Sequence, residues 1–182
     1  MKDYLQRMRG VPRTSSRRPI GEIAWSWLCS FLGIYAIWLV NGFLGLQENE
    51  NLFLIGSFGA TAVLIYGAPA AELSQPRNLI GGHLVSALAG IVAYKLLPDY
   101  VGLSSAIAVS FAIAAMHLTE TLHPPGGATA LIAVIGGDGV HGLGFLYMFT
   151  PVLTGVLIML TVALLVNNLS SNKARHYPRH WF

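Results

Sequence analysis

The chain has 182 residues, of which only 10% are charged and 54% are hydrophobic. An ordinary soluble domain carries roughly 25% charged residues, so this composition excludes a water-soluble globular protein. Nine of the eleven lysines and arginines lie near the two ends of the chain: Lys2, Arg7, Arg9, Arg13, Arg17, Arg18, Lys173, Arg175 and Arg179. The net charge of +3 therefore reflects two basic termini and gives no indication of nucleic-acid binding.

The two basic termini set the expected orientation in a membrane. Lysine and arginine accumulate on the cytoplasmic side of membrane proteins, so residues 1–19 and 168–182 are predicted to be cytoplasmic segments. Termini on the same side require an even number of crossings. The first segment precedes an apolar run long enough to span and contains no small-residue cleavage site, so it is expected to stay uncleaved. The chain is therefore predicted to be a multi-pass protein of a cell membrane, a bacterial inner membrane or its equivalent.

Apolar runs in chain order define the membrane elements between these termini. A helix needs about 20 apolar residues to cross a hydrocarbon core of about 30 Å. The runs 23–44, 79–97 and 146–166 meet this length, and the shorter run 103–118 carries no charge. Two further segments, 52–66 and 125–135, are apolar but short and rich in glycine. If the short segments cross, there are six crossings, and if they return to their own side, there are four. We favour six elements.

An internal repeat groups these elements into two units. The tetrapeptide Gly-Ala-Thr-Ala at 59–62 recurs at 127–130. Each copy follows one long apolar run and precedes another, so the chain is predicted to contain two three-element units. An odd number of elements per unit inverts the second unit, as in inverted-repeat transporters, whose substrate site lies near the midplane. The predicted fold is thus an all-α membrane protein over residues 20–167: a helical bundle of two inverted repeats, with two short half-helices and four to six crossings.

The run 79–97 also carries a face of small residues. Gly82, Ser86 and Gly90 are spaced four apart, which places them on one side of a helix. Such faces let a neighbouring helix approach closely in membranes. The alternative interpretation is that glycine and alanine are simply common in membrane helices.

Residues 117–129 form the most informative stretch of the chain. Here His117, Glu120 and His123 lie beside Pro124 and Pro125, between apolar runs. Ionisable side chains inside a bilayer are costly, so they normally face a protein interior or a watery cavity. Proline suits the first turn of a helix, and the two prolines predict a helix over residues 125–135. At 1.5 Å per residue this helix reaches roughly half of a bilayer.

The N-terminus of this half-helix is a predicted anion site. Its first amides lack intrahelical partners and carry the positive end of the helix dipole, and glycine beside them lets a ligand approach. The first tetrapeptide copy offers a second glycine-marked helix start, and we expect the two N-termini to converge near the midplane. The predicted substrate-binding residues are Ser57, Gly59, Thr61, His123, Pro124, Pro125, Gly126, Gly127 and Thr129. His117 and Glu120 are predicted to be gating or proton-linked groups at the mouth of the site.

Two other interpretations of this stretch are open. The two prolines could form a turn at the membrane surface, with the ionisable side chains in water. Alternatively, His117, Glu120 and His123 have the spacing of metal ligands on one side of a helix, since positions three apart are neighbours. They do not match the His-Glu-x-x-His pattern of zinc peptidases, and the chain has no phosphate-binding loop or nucleophile elbow. We therefore predict no metal, no cofactor and no enzymatic activity. His83, His141, His176 and His180 are given no role.

The sequence around His123-Pro124-Pro125 resembles the HPP family of integral membrane proteins, which is named for this tripeptide. The match runs through residues 119–130 and extends more loosely over the apolar body from about residue 20 to residue 167. The resemblance implies a membrane protein with four helices that acts as a transporter. Plant and cyanobacterial relatives have been linked to nitrite transport, so the resemblance makes nitrite the leading candidate substrate.

These observations lead to one favoured function and two alternatives. The favoured function is a transporter or channel for a small inorganic anion, with nitrite first. The first alternative is a membrane-embedded metal-binding protein or enzyme that uses His117, Glu120 and His123. The second is a non-transporting membrane scaffold, which would have no use for the buried polar cluster. The expected partners are the lipid bilayer and the anion. A homo-oligomer is also expected, because two short three-element units can line little pore surface.

Overall fold

The computed structural model describes residues 17–43 and 55–182, and every regular element within these ranges is helical. The main helices are α1 (Ile20–Phe43), α2 (Gly56–Ala62), α3 (Pro76–Leu96), α4 (Val101–Leu118), α5 (Pro125–Ile135), α6 (Gly137–Leu143) and α7 (Thr154–Val166). Helix α2 continues as a π-helical turn over Val63–Gly67. A 3-10 segment (Gly144–Met148) and a π-helical segment (Phe149–Leu153) join α6 to α7, and a 3-10 turn (Asn167–Leu169) follows α7.

The lengths of the helices match the predicted membrane elements. Within the described residues, four helical stretches are long and apolar enough to cross a membrane, namely Ile20–Phe43, Pro76–Leu96, Val101–Leu118 and Gly137–Leu169. Two shorter apolar helices, Gly56–Gly67 and Pro125–Ile135, complete the set. The prediction of an all-α membrane protein is confirmed. Residues 1–16 of the predicted N-terminal segment, residue 44 and residues 52–54 lie outside the described part of the chain.

Helix α3 lies at the centre of the bundle, between α4 and α5, and its small residues allow this packing. A Cβ atom on Gly82 would lie 2.8 Å from the carbonyl oxygen of Thr121, and one on Gly90 would lie 2.7 Å from the Cβ of Ala133. Both distances are shorter than a real Cβ contact, so any side chain here would force the helices apart. The predicted close approach along the small-residue face is confirmed.

Helix α1 packs along a single seam and exposes the rest of its surface. Its buried residues recur every four positions at Cys29, Gly33, Ile37 and Asn41. Gly33 provides the closest approach, because a Cβ atom there would lie 2.6 Å from the Tyr66 ring of the short helix. Tyr66 in turn donates a hydrogen bond to the carbonyl of Met159 in α7, at 3.0 Å. The aromatic ring therefore joins three elements of the bundle.

Contacts between distant segments define one end of the bundle, here called the first face. Arg175, after α7, lies 3.0 Å from the carboxylate of Glu22 at the start of α1. The Tyr177 hydroxyl donates to the carbonyl of Ser74, just before α3, at 2.7 Å. Helices α1 and α3 therefore begin at the first face, and α7 ends there. Both ends of the described chain lie on one side of the bundle, as an even number of crossings requires.

The second face is marked by contacts between the end of α3 and the residues around α6. The rings of Tyr94 and His141 stack with centroids 3.7 Å apart, and the Lys95 ammonium lies 5.5 Å from the centre of the Phe145 ring. At the first face, Arg77 near the start of α3 pairs with Glu120 just after α4, at 3.1 Å. Helix α4 therefore runs opposite to α1, and α7 opposite to α3. These directions are those an inverted repeat requires, and the repeat itself stays a prediction.

The C-terminal segment packs into the bundle instead of forming a simple solvated tail. Arg175 is only 2% exposed. It donates to the Tyr66 carbonyl at 2.7 Å and to the Asn167 side chain at 3.0 Å. Asn167 also donates to the Ile65 carbonyl at 3.0 Å. The last carbonyls of a helix lack intrahelical partners. Side chains from the C-terminal segment therefore satisfy the end of the short helix that begins with α2.

Candidate functional site

A histidine on α3 lies at the centre of the buried polar groups. His83 has no exposed surface, and it lies roughly 10 Å along α3 from Pro76 at 1.5 Å per residue. Its Nε2 atom is 2.8 Å from the hydroxyl of Thr61 on α2. Its Nδ1 atom is 2.7 Å from the hydroxyl of Thr129 on α5. The two threonines occupy equivalent positions in the repeated tetrapeptide, so one imidazole joins both copies.

His123, from the His-Pro-Pro tripeptide, extends this arrangement towards the first face. Its ring centroid lies 5.0 Å from that of His83, and its Nε2 atom is 3.4 Å from the Thr61 hydroxyl. Its Nδ1 atom lies 2.8 Å from the Leu73 carbonyl. A carbonyl can only accept, so Nδ1 must carry the proton. In neutral His123 the Nε2 atom is therefore left as an acceptor.

These groups form a continuous hydrogen-bond chain that we call the histidine–threonine chain: Thr129, His83, Thr61, His123 and the Leu73 carbonyl. Both hydroxyls also lie near the carbonyl one turn earlier in their own helix. Thr61 donates to the Ser57 carbonyl at 3.0 Å, and Thr129 to the Pro125 carbonyl at 3.4 Å. Each hydroxyl has one hydrogen, so it can donate either to a histidine nitrogen or to the carbonyl of its own helix, but not to both at once. The chain can therefore exist in more than one protonation pattern.

Ser57, one turn before Thr61, adds an unused polar group. Its side chain is fully buried, and its hydroxyl has no hydrogen-bond partner among the described residues. A buried hydroxyl without a partner costs about 1–3 kcal/mol relative to a satisfied one. A group that accepts its hydrogen bond would recover this energy. Ser57 therefore has an unused hydroxyl on the face of α2 that also carries Thr61.

The first amides of α5 differ from the predicted anion cradle. The Gly126 amide donates to the His123 carbonyl at 2.8 Å, and the Gly127 amide donates to the Pro124 carbonyl at 3.1 Å. The turn before the helix therefore occupies both donors. Gly126 is needed for packing, because a Cβ there would lie 2.5 Å from the Ser86 hydroxyl and 3.0 Å from the Gly82 carbonyl oxygen.

The two short helices also meet differently from the expected convergence of their N-termini. A Cβ atom on Gly56, at the start of α2, would have Ile132 as its neighbour, at 4.0 Å. Ile132 lies about 10 Å along α5 from its first residue at 1.5 Å per residue. The two helices thus pack against each other in antiparallel directions. Thr61 and Thr129 lie at the level where the helices approach His83. Gly59 is exposed, and no atom lies within 4 Å of the Cβ it would carry.

The predicted gating groups lie outside this site. The His117 side chain is exposed, and Glu120 pairs with Arg77 at the first face with 76% of its side chain accessible. Glu120 adopts a left-handed backbone with φ of 55°, just after α4. The amide of Thr121 bonds back to the Met116 carbonyl at 2.9 Å, which is the pattern that ends many helices. Glu120 is therefore part of a helix-ending turn.

The metal interpretation joins His117, Glu120 and His123, and the structure separates these side chains. His123 is buried in the histidine–threonine chain, whereas the other two are exposed. Within residues 17–43 and 55–182, no group of three histidine, cysteine, aspartate or glutamate side chains is placed to hold a metal ion. The geometry therefore gives no support to the metal-binding alternative.

Of the predicted substrate-binding residues, Ser57, Thr61, His123 and Thr129 lie together, whereas Pro124 is exposed and Pro125 is buried at the start of α5. Sequence reasoning missed His83, which contacts both threonines. One signal could have found it, since His83 is an ionisable residue inside an apolar run and directly follows the small-residue position Gly82. A buried histidine on a helix face that approaches its neighbours closely has to find polar partners there.

The described helices, with their lengths and apolar surfaces, define an integral membrane protein of the helical class. A family model described as the transmembrane region of HPP proteins matches residues 15–178. The chain therefore belongs to the HPP family. The resemblance noted around the His-Pro-Pro tripeptide is confirmed over nearly the whole chain.

Two curated relatives come from Dictyostelium discoideum, and each is described as a transmembrane protein. One is 45% identical over 182 residues, covering 98% of this chain and 57% of the relative. The other is 46% identical over 164 residues, covering 88% of this chain and 56% of the relative. The chain thus spans little more than half the length of these relatives. No solved structure matches it.

Proposed function

We propose that this protein transports a small inorganic anion, and that the anion binds at the histidine–threonine chain where α2 crosses α5. The observation that carries the proposal is the fully buried set of Thr61, His83 and Thr129, beside the unpartnered hydroxyl of Ser57. Buried polar groups at the junction of two short helices are where inverted-repeat transporters bind substrate. Ionisable groups inside a membrane bundle are costly, and where they occur they usually mark a substrate or ion pathway.

The protonation of His83 gives this site a way to attract an anion. A protonated imidazole donates from both ring nitrogens. Thr61 and Thr129 would then both accept from His83, which leaves each hydroxyl hydrogen free to donate elsewhere. An anion at either end of the imidazole would then accept from one threonine hydroxyl beside a positive charge, and at the Thr61 end Ser57, one turn earlier on α2, offers a second hydroxyl. Proton and anion would therefore load together, and uptake would be favoured at lower pH.

Nitrite is the leading candidate substrate. This choice rests on the link between HPP relatives and nitrite transport. The chemistry of the site fits nitrite because its two oxygens are acceptors and its single charge matches one protonated histidine. Nitrate, formate and bicarbonate share these properties, so they belong in the same test. A channel would use the same residues, and saturation of the flux with substrate would favour a transporter.

The proposed orientation places the first face in the cytoplasm of a cell. The support is the excess of lysine and arginine at both ends of the sequence, together with the described ends lying on one face. Membrane-impermeant labelling of a single cysteine introduced at Phe182 in intact cells tests this. Labelling from outside would contradict the orientation.

A homo-oligomer stays part of the proposal, because a bundle this small encloses little pore.

The test is anion flux into liposomes that contain the purified protein. Nitrite, nitrate, formate and bicarbonate are compared for the wild type and for Thr61→Val and Thr129→Val. Thr161→Val is the matched control, because Thr161 is an exposed threonine on α7 that bonds only within its own helix, at 2.8 Å from the Leu157 carbonyl. We expect nitrite flux in the wild type and the control, and a loss of at least tenfold in the two site variants, since each removes a charge-assisted hydrogen bond worth about 1.5–3 kcal/mol. Absence of flux for all four anions would contradict the proposal.

A further inference from the structure

The outer surface of α1 carries a ladder of aromatic side chains. The rings of Trp27, Phe31, Tyr35 and Trp38 stack in sequence, with successive centroids 6.0, 5.7 and 5.5 Å apart. All four side chains are exposed on the surface of the bundle. Spacings of four and three residues place them on one stripe of the helix. The ladder therefore forms a continuous aromatic wall along the axis of α1.

This wall borders a groove of about 810 Å³ between α1 and the short helix. The groove extends along α1 from Ile23 to Trp38, and Val63 and Gly67 lie on its opposite side. At 1.5 Å per residue its length is about 22 Å. One leaflet contributes about 15 Å of a hydrocarbon core that is about 30 Å thick. The groove can therefore hold an acyl chain over the depth of a leaflet.

At the first face, next to the groove, lies a smaller cavity of about 160 Å³ that is lined by charged side chains. The two spaces adjoin, because Ile23, Ser26 and Gly67 line both of them. Arg18 and Arg175 line this cavity, with Glu22 as the acidic group between them. Two arginines against one glutamate leave a positive charge. Arg175 is paired with Glu22 at 3.0 Å, so Arg18 supplies the excess positive charge.

We propose that the groove and the cavity together form a binding site for one anionic phospholipid. Its phosphate would lie beside the exposed Arg18 in the cavity that Arg175 also lines, and one acyl chain would lie along the aromatic ladder. Arginine suits phosphate because its planar donors match the phosphate oxygens. Basic pockets between helices at the cytoplasmic side of membrane proteins bind such headgroups. This site is separate from the histidine–threonine chain and does not depend on the proposed transport.

The test measures lipid binding to the purified protein in mild detergent by native mass spectrometry. Phosphatidylglycerol and phosphatidylcholine with identical acyl chains are titrated into the wild type, Arg18→Gln and Ser30→Phe. Arg18 is exposed, so its replacement spares the packed core, and Ser30 lines the groove, so phenylalanine there would fill it. Lys95→Gln is the control, since Lys95 is an exposed basic residue at the second face. Melting curves of each variant verify that it is folded.

We expect one tightly bound phosphatidylglycerol per chain and weaker binding of phosphatidylcholine. Arg18→Gln should lower the affinity for phosphatidylglycerol by about tenfold, the typical value of one charge-assisted contact, and bring it close to that for phosphatidylcholine. Ser30→Phe should weaken both lipids, and Lys95→Gln should change neither. Equal affinity of the wild type for both lipids would overturn the proposal. So would displacement of phosphatidylglycerol by millimolar inorganic phosphate alone, because the cavity would then be a site for free anions.

Discussion

Thr61 and Thr129 face each other across one imidazole ring, with one hydroxyl on each nitrogen of His83, at 2.8 and 2.7 Å. They come from the two copies of a repeated tetrapeptide and from two short helices that run in opposite directions. A single buried side chain is thus the meeting point of the two halves of the sequence. Any motion of α2 relative to α5 must change at least one of these hydrogen bonds, which links conformation to the protonation of the site.

Replacing His83 by glutamine should separate protonation from hydrogen bonding. Glutamine can still bond to both threonines, and it cannot take up a proton. We expect His83→Gln to transport anions slowly and with little dependence on pH, whereas wild-type flux rises as the pH falls, because only the histidine can take up a proton. Liposome flux at several pH values measures this. His141→Gln is the control, because His141 stacks on Tyr94 at the second face, away from the site. A wild-type pH profile in folded His83→Gln protein would contradict the role of this histidine.

Ser57→Ala should separate stability from function. The Ser57 hydroxyl is buried and has no partner among the described residues, so its removal eliminates an unsatisfied polar group. The free energy of unfolding should stay equal or rise by up to about 1 kcal/mol, and the melting temperature should follow it. Anion flux should fall nevertheless, because one of the two hydroxyl donors at the Thr61 end of the site is lost. A detergent melting curve and a flux assay on the same preparation give both numbers. A marked loss of stability would show that Ser57 has a structural partner instead.

Gly126 and Gly127 should respond differently to the same substitution. A Cβ on Gly126 would press against the Ser86 hydroxyl and the Gly82 carbonyl, whereas one on Gly127 would meet only the Val109 side chain at 3.9 Å. We expect Gly126→Ala to cost about 1–3 kcal/mol from overpacking, and Gly127→Ala to stay within about 0.5 kcal/mol of the wild type. Thermal unfolding in detergent tests this. Equal melting temperatures for both variants would contradict the packing at the start of α5.

Arg175 should be the most important residue of the C-terminal segment for stability. Arg175→Met removes a donor from Glu22, from the Tyr66 carbonyl and from Asn167, and breaking a buried pair costs about 3–5 kcal/mol. Arg179→Met is the matched control, since Arg179 is exposed and bonds only to nearby carbonyls of its own segment through its side chain. Its effect should stay below about 1 kcal/mol. Similar melting temperatures for the two variants would mean that the C-terminal segment is not a structural clamp.

The helical elements could be predicted from the sequence because length and composition control them. Apolar runs of about 20 residues have one stable form in a bilayer, and prolines at the starts of α3 and α5 mark where those helices begin. The face of Gly82, Ser86 and Gly90 was also readable, since spacing by four residues fixes one side of a helix. These features depend on neighbours along the chain and on the lipid, and on no distant contact.

The arrangement of the site could not be read in the same way because distant contacts create it. His83 binds partners 22 and 46 residues away. Its place after Gly82 in an apolar run marks it as a residue that needs polar partners, but does not show which residues those are. The α5 amides looked available because a helix start usually leaves them free, but the preceding turn supplies the carbonyls of His123 and Pro124. Arg175 looked like part of a solvated tail. Its partner, the Tyr66 carbonyl, belongs to the π-helical turn that ends the short helix, and no local sequence pattern predicts that turn.

Direct binding of nitrite to the purified protein tests the central claim, that the substrate anion binds at the histidine–threonine chain. Isothermal titration of nitrite into detergent-solubilised protein at mildly acidic pH compares the wild type, the double variant Thr61→Val and Thr129→Val, and the control Thr161→Val. We predict saturable binding to the wild type and to Thr161→Val, and no detectable binding to the double variant although its melting curve shows a folded protein. Wild-type affinity for nitrite in a folded double variant would contradict the account.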